Sequence, residues 1–418
     1  MKAIKPGTYL AIAALCTLAA CGGTDADHRL EVTTEDGVRT VVNRGGPRFE
    51  ESLFDFEHVL TLQQDEEVPA SLLGSIQDIR QGGDGRFYVA DARNVRIAVF
   101  GPDGIYQHDI GRYGKGPGEF DMRFHLEALR GDTLQVFDAS LQRTTLFRTD
   151  GSLIGTVHSP LDASVDHMIQ VEDDRLLMLD WQREMKGNIS HQRPEAVLAG
   201  SSGDTLAWIR GPSIPQSRFT DLTGPDGRYA GRYTRLMFGG MPQLLFDSPD
   251  RILIAHGTEP VIDRYGLDGT HRLRVRIEVE LPVMDRGFQD RYWQLADSIA
   301  AAQGQEPERM ERVKERMMFA DRLGFSERGF VDDRGYVWLL DQRAIPFMVP
   351  GDPASYHLVS PEGRYAGTVE VPGPFSRVFA VDDGLVLATT YDLATGVTEA
   401  VVYRLHPAVE GFDYLSGS

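Results

Sequence analysis

One glycine-rich stretch of the chain could bind a phosphate group, Gly111 to Gly118 with Lys115 inside it. A phosphate-binding P-loop needs Ser or Thr directly after the lysine and a helix beyond it, whereas Gly116 follows Lys115 and more turn residues come next. No Gly-x-Ser-x-Gly nucleophile motif, His-Glu-x-x-His zinc motif or Asp-x-Asp-x-Asp-Gly calcium loop occurs. The sequence therefore contains no motif that assigns a catalytic, cofactor-binding or metal-binding residue.

Apolar strands and Asp/Gly turns recur six times along the chain in the same order. The first repeat is the clearest, with apolar strands at 87–90 and 96–100 and a hairpin turn at Asp103–Gly104. Continuous apolar runs are typical of strands that are covered on both faces. Four strands per repeat, at a period of about 40 to 50 residues, predict an all-β fold, a six-bladed β-propeller of four-stranded antiparallel blades over residues 49–410. A stack of β-sandwich domains is the alternative.

In a propeller the first strand of every blade lines the central axis, so the polar residues of these strands converge at the mouth of the channel. The six repeats predict an axial set of candidate ligand-binding residues: Asp78, Glu127, Asp166, His167, Gln243, Glu327 and Arg377. Acidic side chains dominate this set, which suits a polar ligand or a divalent cation. The alternative is a water-filled channel with solvated side chains.

Two segments exceed the repeat period. Residues 214–240 contain Pro, Gly, Arg and Tyr in no regular order and predict a long loop. Residues 285–323 predict a helical insertion, either packed on the rim of the propeller or forming a lid or docking face. Its apolar residues fall on helical faces in two runs: Phe288, Tyr292, Leu295 and Ile299, then Met310, Val313, Met317 and Ala320.

The two ends of the propeller are less regular. Residues 49–63 alternate between apolar and polar types, which favours either a strand that closes the ring on the last blade or a loosely attached leader. Residues 411–418 are predicted to be a C-terminal tail.

The N-terminus carries an export signal. Lys2 and Lys5 precede an apolar core at 10–20 that is too short to span a bilayer, which predicts a signal peptide over residues 1–20. The ending Leu18-Ala19-Ala20-Cys21 resembles the lipobox of bacterial lipoproteins, and this implies lipidation of Cys21. Gly22 after the cysteine favours the outer membrane by the same resemblance, and residues 21–48 would form a lipidated tether. An ordinary secretory signal is the alternative.

Charge and cysteine content exclude several classes of partner and bond. The formal net charge of −19, without any run of Lys or Arg, argues against nucleic acid as a partner. It also disfavours an anionic membrane surface and leaves the lipid on Cys21 as the only membrane contact. Since Cys16 lies in the signal peptide, the mature chain cannot form an intramolecular disulfide and must depend on a hydrophobic core.

The first repeat also shows a family resemblance. Tyr88-Val89-Ala90-Asp91, followed by Asn94-Val95-Arg96-Ile97, resembles an NHL repeat, and 115–120 is similar to the glycine-rich link between such repeats. Together with the lipobox and the six repeats, these features resemble the bacterial six-bladed β-propeller lipoproteins with NHL-like repeats. The resemblance implies a lipid-anchored protein on the periplasmic or outer face of a bacterial envelope.

In the absence of a catalytic motif, we expect a binding or protein-interaction module rather than an enzyme. Its partner would be an envelope protein or a small polar ligand. The alternative is a propeller-type lyase or lactonase with a metal at the central channel, and a structural envelope component is a third interpretation. No cofactor is predicted, although a divalent cation in the channel stays open as an alternative.

Overall fold

The computed structural model describes residues 28–161, 164–172, 174–221, 231–248, 251–302, 304–342, 353–374, 377–391 and 398–414. The predicted signal peptide and Cys21 lie outside these residues. The described chain forms six four-stranded antiparallel blades, and two of these sheets carry additional strands. This confirms the predicted six-bladed β-propeller.

The elements are numbered in chain order. The N-terminal strands are β1 (Arg29–Glu35), β2 (Val38–Arg44) and β3 (Phe54–Thr61). Blade 1 comprises β4 (Ile76–Gln81), β5 (Phe87–Asp91), β6 (Arg96–Phe100) and β7 (Tyr106–Ile110). Blade 2 comprises β8 (Phe124–Arg130), β9 (Thr133–Asp138), β10 (Arg143–Arg148) and β11 (Leu153–His158). Blade 3 comprises β12 (His167–Glu172), β13 (Arg175–Lys186), β14 (Ile189–Gly200) and β15 (Thr205–Arg210), and β16 (Ile214–Asp221) and β17 (Gly231–Met237) follow it.

Blade 4 comprises β18 (Gln243–Ser248), β19 (Arg251–Ala255), β20 (Val261–Gly266) and β21 (His271–Ile277). The insertion contains α1 (Arg286–Ala302), α2 (Pro307–Lys314) and β22 (Met317–Phe319). Blade 5 comprises β23 (Ser326–Val331), β24 (Val337–Asp341), β25 (Pro353–Val359) and β26 (Tyr365–Pro374). Blade 6 comprises β27 (Arg377–Asp382), β28 (Leu385–Tyr391) and β29 (Thr398–Pro407), with β3 as its fourth strand.

Alternate residues of each central strand pack against the two neighbouring blades. In β5 every residue is buried: Tyr88 and Ala90 pack against blade 2, whereas Phe87 and Val89 pack against blade 6. Because both faces of the sheet are covered, the strand has no solvent side and its sequence shows no polar alternation. The continuous apolar run seen in the sequence thus follows from radial packing.

A buried ion pair fixes the inner hairpin of blade 1. The Asp91 carboxylate, which is fully buried, accepts hydrogen bonds from the backbone N–H of Ser75 (3.0 Å) and from the Asn94 amide (2.7 Å). Arg96 contacts this carboxylate and donates to the carbonyls of Ala70 and Leu72 (2.7 and 2.8 Å). These residues of the NHL-like motif therefore hold the loop before β4 and are part of the scaffold.

Blade 2 contains the same arrangement with a different sequence. Asp138 is opposite Arg143 across the β9–β10 hairpin, as Asp91 is opposite Arg96 in blade 1. The residue before each arginine, Val95 or Gln142, has a positive φ of 53° or 50°. The hairpin geometry is thus kept although the Asn-x-Arg-Ile sequence is absent from the second repeat.

The ring closes through the N-terminal strand β3. This strand pairs antiparallel with β29 and supplies the outer strand of blade 6, so the chain ends meet in one sheet. Of the two interpretations of residues 49–63, the structure shows the closing strand and not the loosely attached leader.

The segment predicted to be a tether contains a β-hairpin. The strand β2 pairs in parallel with β21 at the outer edge of blade 4. Its buried Val41 packs against Leu273 and Val275, and the fully buried Asn43 donates to the carbonyl of Gly363 (3.0 Å) and accepts the N–H of Tyr365 (2.8 Å) in blade 5. Residues 29–44 are therefore docked, because their inward side chains find apolar and polar partners on two blades.

The segment predicted to be a long loop, 214–240, contains two strands. The strand β16 pairs with the outer part of β14 and with β17. The hairpin of β13 and β14 is longer than the other blade hairpins, and its tip continues past the start of β12, where β16 can pair with it. Blade 3 thus extends beyond the ring.

The insertion is only partly helical. The helices α1 and α2 confirm helical structure over 286–302 and 307–314, but Met317, predicted to lie on a helix, belongs to β22, which pairs in parallel with β17. Phe238, Met284 and Leu323 form its core, and Phe288 and Tyr292 pack on them. The apolar face of α1 therefore covers the extension of blade 3.

Part of the predicted C-terminal tail is buried. Tyr414, only 1% exposed, donates its hydroxyl to the Asp332 carboxylate in blade 5 (2.7 Å), which also accepts the indole N–H of Trp338 (2.8 Å). Burial raises the pKa of the Asp332 carboxyl to about 6, although these hydrogen bonds oppose the rise. The chain end thus stabilises the junction between blades 5 and 6.

We expect Asn43→Ala to lower the free energy of unfolding by about 2 to 4 kcal/mol, because it leaves the buried N–H of Tyr365 and carbonyl of Gly363 without partners. Guanidinium unfolding measures this effect. Thr33→Ala, at an exposed position of β1, is the control and should change stability by less than about 0.5 kcal/mol. Equal midpoints for Asn43→Ala and the wild type would contradict a docked hairpin.

The Asp332 carboxyl should make stability depend on pH. Because its pKa is raised in the folded state, the free energy of unfolding should fall as the pH rises from about 4 to about 6, by about 3 kcal/mol from this group. Asp332→Asn should remove that component, which urea unfolding at several pH values would measure. The exposed Asp290→Asn variant should keep the wild-type profile, and an unaltered profile for Asp332→Asn would refute the assignment.

Candidate functional site

A cavity of about 660 Å³ lies at one end of the ring axis. All six inner strands contribute side chains to it, chiefly from the residues with which each strand begins. The second strands of blades 3 and 5 complete the wall, with Leu179 and Trp181 from the middle of β13 and Leu340 and Asp341 from the end of β24. The lining includes Gln77, Asp78, Arg80, His125, Glu127, His167, Trp181, Gln243, Glu327, Arg328, Phe330, Asp341, Gln342, Tyr356, Arg377 and Phe379.

Six of the seven residues predicted for the axis line this cavity, and Asp166 does not. The six are Asp78, Glu127, His167, Gln243, Glu327 and Arg377. Asp166 precedes β12, and its carboxylate pairs with Arg123 (3.2 Å) in a contact open to solvent. Lys115 and its glycines connect β7 to β8 and contribute nothing to the cavity wall.

β-Bulges turn several of these side chains towards the axis. The pairing register of β4 with β5 skips Gln77, that of β8 with β9 skips Glu127, and that of β27 with β28 skips Phe379. In β23, Glu327 and Arg328 together face a single residue of β24. An extra residue in a strand leaves the pleat and changes which face its side chain meets. Four of the six inner strands therefore depart from regular pairing where they border the cavity.

Glu127 and two histidines form a cluster between blades 2 and 3. The Nδ1 atom of His167 lies 2.8 Å from Oε1 of Glu127, whose side chain is only 8% exposed. Burial disfavours the charged form of His167, but the Glu127 carboxylate outweighs this effect and raises the pKa of His167. Burial, helped by the charge of His167, lowers the pKa of His125, whose ring centroid lies 4.6 Å from that of His167. His167 therefore keeps its proton to a higher pH than His125 does.

Arginines dominate the opposite side of the cavity, in blades 5, 6 and 1. Asp78 accepts hydrogen bonds from Arg80 Nη2 (2.9 Å) and from the Ile79 N–H (2.8 Å). Burial raises the pKa of Asp78, against the effect of Arg80. The guanidinium of Arg377 lies over the Phe379 ring at 4.4 Å. Its pKa is lowered, first by burial and then by the charge of Arg328.

Three glutamine side chains leave hydrogen-bonding capacity unused at the cavity. Gln342 and Gln243, which are 2% and 8% exposed, donate through Nε2 to Glu327 Oε2 (3.2 Å) and to Ser326 Oγ (3.2 Å). Their Oε1 atoms, and that of Gln77, are buried without a hydrogen-bond partner among the described residues. Buried polar atoms without partners are rare in folded proteins, and each calls for an explanation such as an ordered water, an ion or a ligand.

The described residues contain no group of three or more His, Cys, Asp or Glu side chains placed to hold a metal ion. The carboxylates that line the cavity are instead engaged by neighbours, Asp78 by Arg80 and Glu127 by His167. The divalent cation considered from the sequence thus finds no ready ligand set in this part of the chain.

Several lining residues could not be identified from the sequence. Gln77 and Arg328 face the cavity because of bulges, which a sequence pattern does not reveal. Trp181 lies in the middle of β13 and Gln342 directly follows β24, so the order of the inner strands does not place either residue at the axis. His125 lies two residues before Glu127 on the same strand, and this spacing was the one available signal.

Comparison with known proteins supports the fold. Residues 38–194, from β2 into β14, match the model of the family described as "DUF5128: 6-bladed beta-propeller". No curated protein matches the chain. Similar solved structures include a protein described as exported, from Bacteroides fragilis (14% identity, 85% of this chain and 96% of that chain, TM-score 0.48). A member of the DUF4221 family from Bacteroides vulgatus is similar too (10% identity, 86% and 100%, TM-score 0.45).

The virginiamycin B lyase of Staphylococcus aureus is also similar, with 11% identity over 85% of this chain and 88% of that chain and a TM-score of 0.35. Likenesses at these identities carry no argument about activity. Within the described residues, no helix has the length and apolar character needed to cross a membrane.

The pKa values of His125 and His167 should depart from the usual histidine value in opposite directions. Imidazole NMR, assigned with His125→Gln and His167→Gln, should give His167 the higher pKa and His125 the lower one. Glu127→Gln should lower the pKa of His167, because the carboxylate charge that stabilises the imidazolium is removed. Asp55→Asn, in β3 on the outside of blade 6, is the control. The same pKa for His167 in Glu127→Gln and in the wild type would exclude an ion pair between His167 and Glu127.

Proposed function

We propose that this six-bladed β-propeller is an exported binding protein that holds a small polar organic ligand in its axial cavity. The observation that carries the proposal is the set of buried glutamine oxygens without partners, Oε1 of Gln243 and Gln342 foremost, in the cavity wall. Leaving a buried polar atom unpaired costs about 1 to 3 kcal/mol. A ligand that donates hydrogen bonds to these atoms removes that cost.

The size and shape of the cavity support the same function. A volume of about 660 Å³ is in the range of small-molecule sites, which combine apolar walls with a few convergent polar groups. Here Phe330, Tyr356 and Phe379 provide aromatic wall between the polar side chains. The bulges that aim Gln77 and Glu127 at the axis interrupt regular pairing, and bulges are frequent next to functional sites.

The cellular location belongs to the proposal as well. The apolar core at 10–20 and the Leu-Ala-Ala-Cys ending support export and a lipid on Cys21, with the outer membrane as destination. A lipid anchor would confine the ligand site to the envelope, where it could serve a partner protein.

Acid–base catalysis is a second candidate function. His125 and His167 are adjacent, and their pKa values are moved in opposite directions, a pattern found where one group gives a proton and another accepts it. A lyase could use such a pair on a ligand bound beside Glu127. This function would require the same cavity to be occupied.

A thermal-shift and calorimetric screen tests the binding function. The probes are D-glucose, N-acetylglucosamine, D-glucuronate, L-glutamate, L-lysine, putrescine, succinate and calcium chloride, each examined by mass spectrometry for turnover. At least one organic probe should raise the Tm of the wild type. A ligand at 100 times its Kd adds about 2.7 kcal/mol to the free energy of unfolding. Gln342→Leu should lower the affinity for that probe about tenfold, since the substitution removes a hydrogen-bond acceptor from the cavity wall.

Gln182→Leu is the matched control, because Gln182 is exposed on β13 and does not line the cavity. Unchanged affinity in Gln342→Leu would overturn the role given to the glutamine oxygens, and a protein that responds to none of the probes would overturn the proposal. A response to calcium alone would favour the metal-dependent alternative. Conversion of a bound probe that is lost in His125→Gln would establish the catalytic function.

A further inference from the structure

We propose that the ligand of the axial cavity is a small organic anion that combines a carboxylate with hydrogen-bond donors. The inference rests on the ligand-binding function proposed above and gives it a chemical class. Two arginines and three glutamine oxygens of the cavity wall, none with a hydrogen-bond partner among the described residues, carry it.

Arg328 and Arg377 lie on β23 and β27, the inner strands of adjacent blades, and both line the cavity. Neither guanidinium has a hydrogen bond or an ion pair with any described residue, whereas nearby Arg80 is paired with Asp78 at 2.9 Å. The contact of Arg377 with the Phe379 ring fixes the direction of its guanidinium without neutralising its charge. The free N–H groups of both arginines are thus available to a ligand.

The two charges are also close enough to disturb one another. The charge of Arg328 adds to burial in lowering the pKa of Arg377. Holding two cations together costs free energy, and an anion between them turns the repulsion into two attractions. Guanidinium groups bind carboxylates through paired N–H···O bonds, a geometry that fits this pair. The Asp78 carboxylate partly offsets the charge of Arg377 but is itself paired with Arg80, so the two arginines keep a local preference for anions in a chain with a net charge of −19.

The rest of the ligand must supply donors. Oε1 of Gln77, Gln243 and Gln342 accept hydrogen bonds and have none from the described residues. Glu327, whose Oε2 atom accepts a hydrogen bond from Gln342, adds a carboxylate acceptor to the wall. A hydroxyl or an ammonium group satisfies such acceptors, whereas an ether, an ester or a plain hydrocarbon does not.

Sugar acids and amino acids share this chemistry. Both carry one carboxylate, and the donors are hydroxyls in the first and an ammonium group in the second. The aromatic residues Phe330, Phe379 and Trp181 in the wall offer flat apolar surface to the carbon skeleton of either. The experiment therefore includes one pair of probes for each source.

Calorimetry should compare D-glucuronate with D-glucose and L-glutamate with n-propylamine, which keeps the ammonium group and lacks both carboxylates, and putrescine should represent cations. We expect D-glucuronate or L-glutamate to bind at least about tenfold more tightly than its uncharged or carboxylate-free counterpart. The probe that binds better identifies the source. Arg328→Gln and Arg377→Gln should each lower the affinity for the carboxylate probe about tenfold and leave the affinity for D-glucose unchanged.

Arg148→Gln, on the outer part of blade 2, is the matched control and should bind like the wild type. Arg328 is exposed and makes no ion pair with the described residues, so Arg328→Gln should fold, and its circular dichroism and Tm would confirm this. Equal affinities in Arg328→Gln and the wild type overturn the inference.

The outcomes also separate this inference from the binding function beneath it. If D-glucose or putrescine binds as tightly as the carboxylates, and Gln342→Leu weakens its binding, the cavity binds a ligand without preferring an anion. If no probe binds the wild type at millimolar concentration, both proposals fail. If a carboxylate binds and only the arginine variants weaken it, the anion site stands and the role given to Gln342 falls.

Discussion

A four-stranded blade has two apolar faces, and neither can be left in water. Every blade must therefore have a neighbour on each side, and a ring is the arrangement in which all of them do. The division of β5 between blade 2 and blade 6 shows this constraint in single residues, Tyr88 on one side and Phe87 on the other. Closure by β3 in blade 6 satisfies the last pair of faces. Because the packing is between blades, it places no demand on the residues at the axis, which are free to be polar.

That freedom explains the character of the cavity. The inner strands approach one another at the axis without filling it, and bulges in four of them move Gln77, Glu127, Glu327 with Arg328, and Phe379 out of the regular pleat. Away from the cavity these strands keep regular pairing. The same chain segments therefore form both the scaffold, through regular pairing, and the site, through bulges. The result is one wall with a histidine pair beside Glu127 and another on which three arginines lie among carboxylates.

Much of the fold could be predicted because radial packing leaves a direct record in the sequence, as in the buried run 87–90 and the turn at Asp103–Gly104. Six of the seven axial residues followed from strand order alone. The docked hairpin at 29–44 was missed because most of β1 faces solvent and its partners lie in distant blades. Met317 continues a helical apolar pattern and yet forms a strand, since pairing with β17 outweighs local preference. Gln77, Arg328 and Gln342 could not be identified because register shifts and strand ends are properties of pairing.

The position of β3 also bears on the order in which the molecule can be made. Glu57 in β3 forms a hydrogen bond with His406 in β29, 349 residues later in the chain. Asn43 in β2 forms one with Tyr365, 322 residues later. The first strands to emerge during synthesis are thus among the last to find partners, and contacts of such long range make folding slow. A nascent chain could complete blades 1 and 2 before β2 and β3 find their partners in blades 4 and 6. The architecture thus delays the finished ring until the whole chain has emerged, a timing that is compatible with passage across a membrane in an unfolded form.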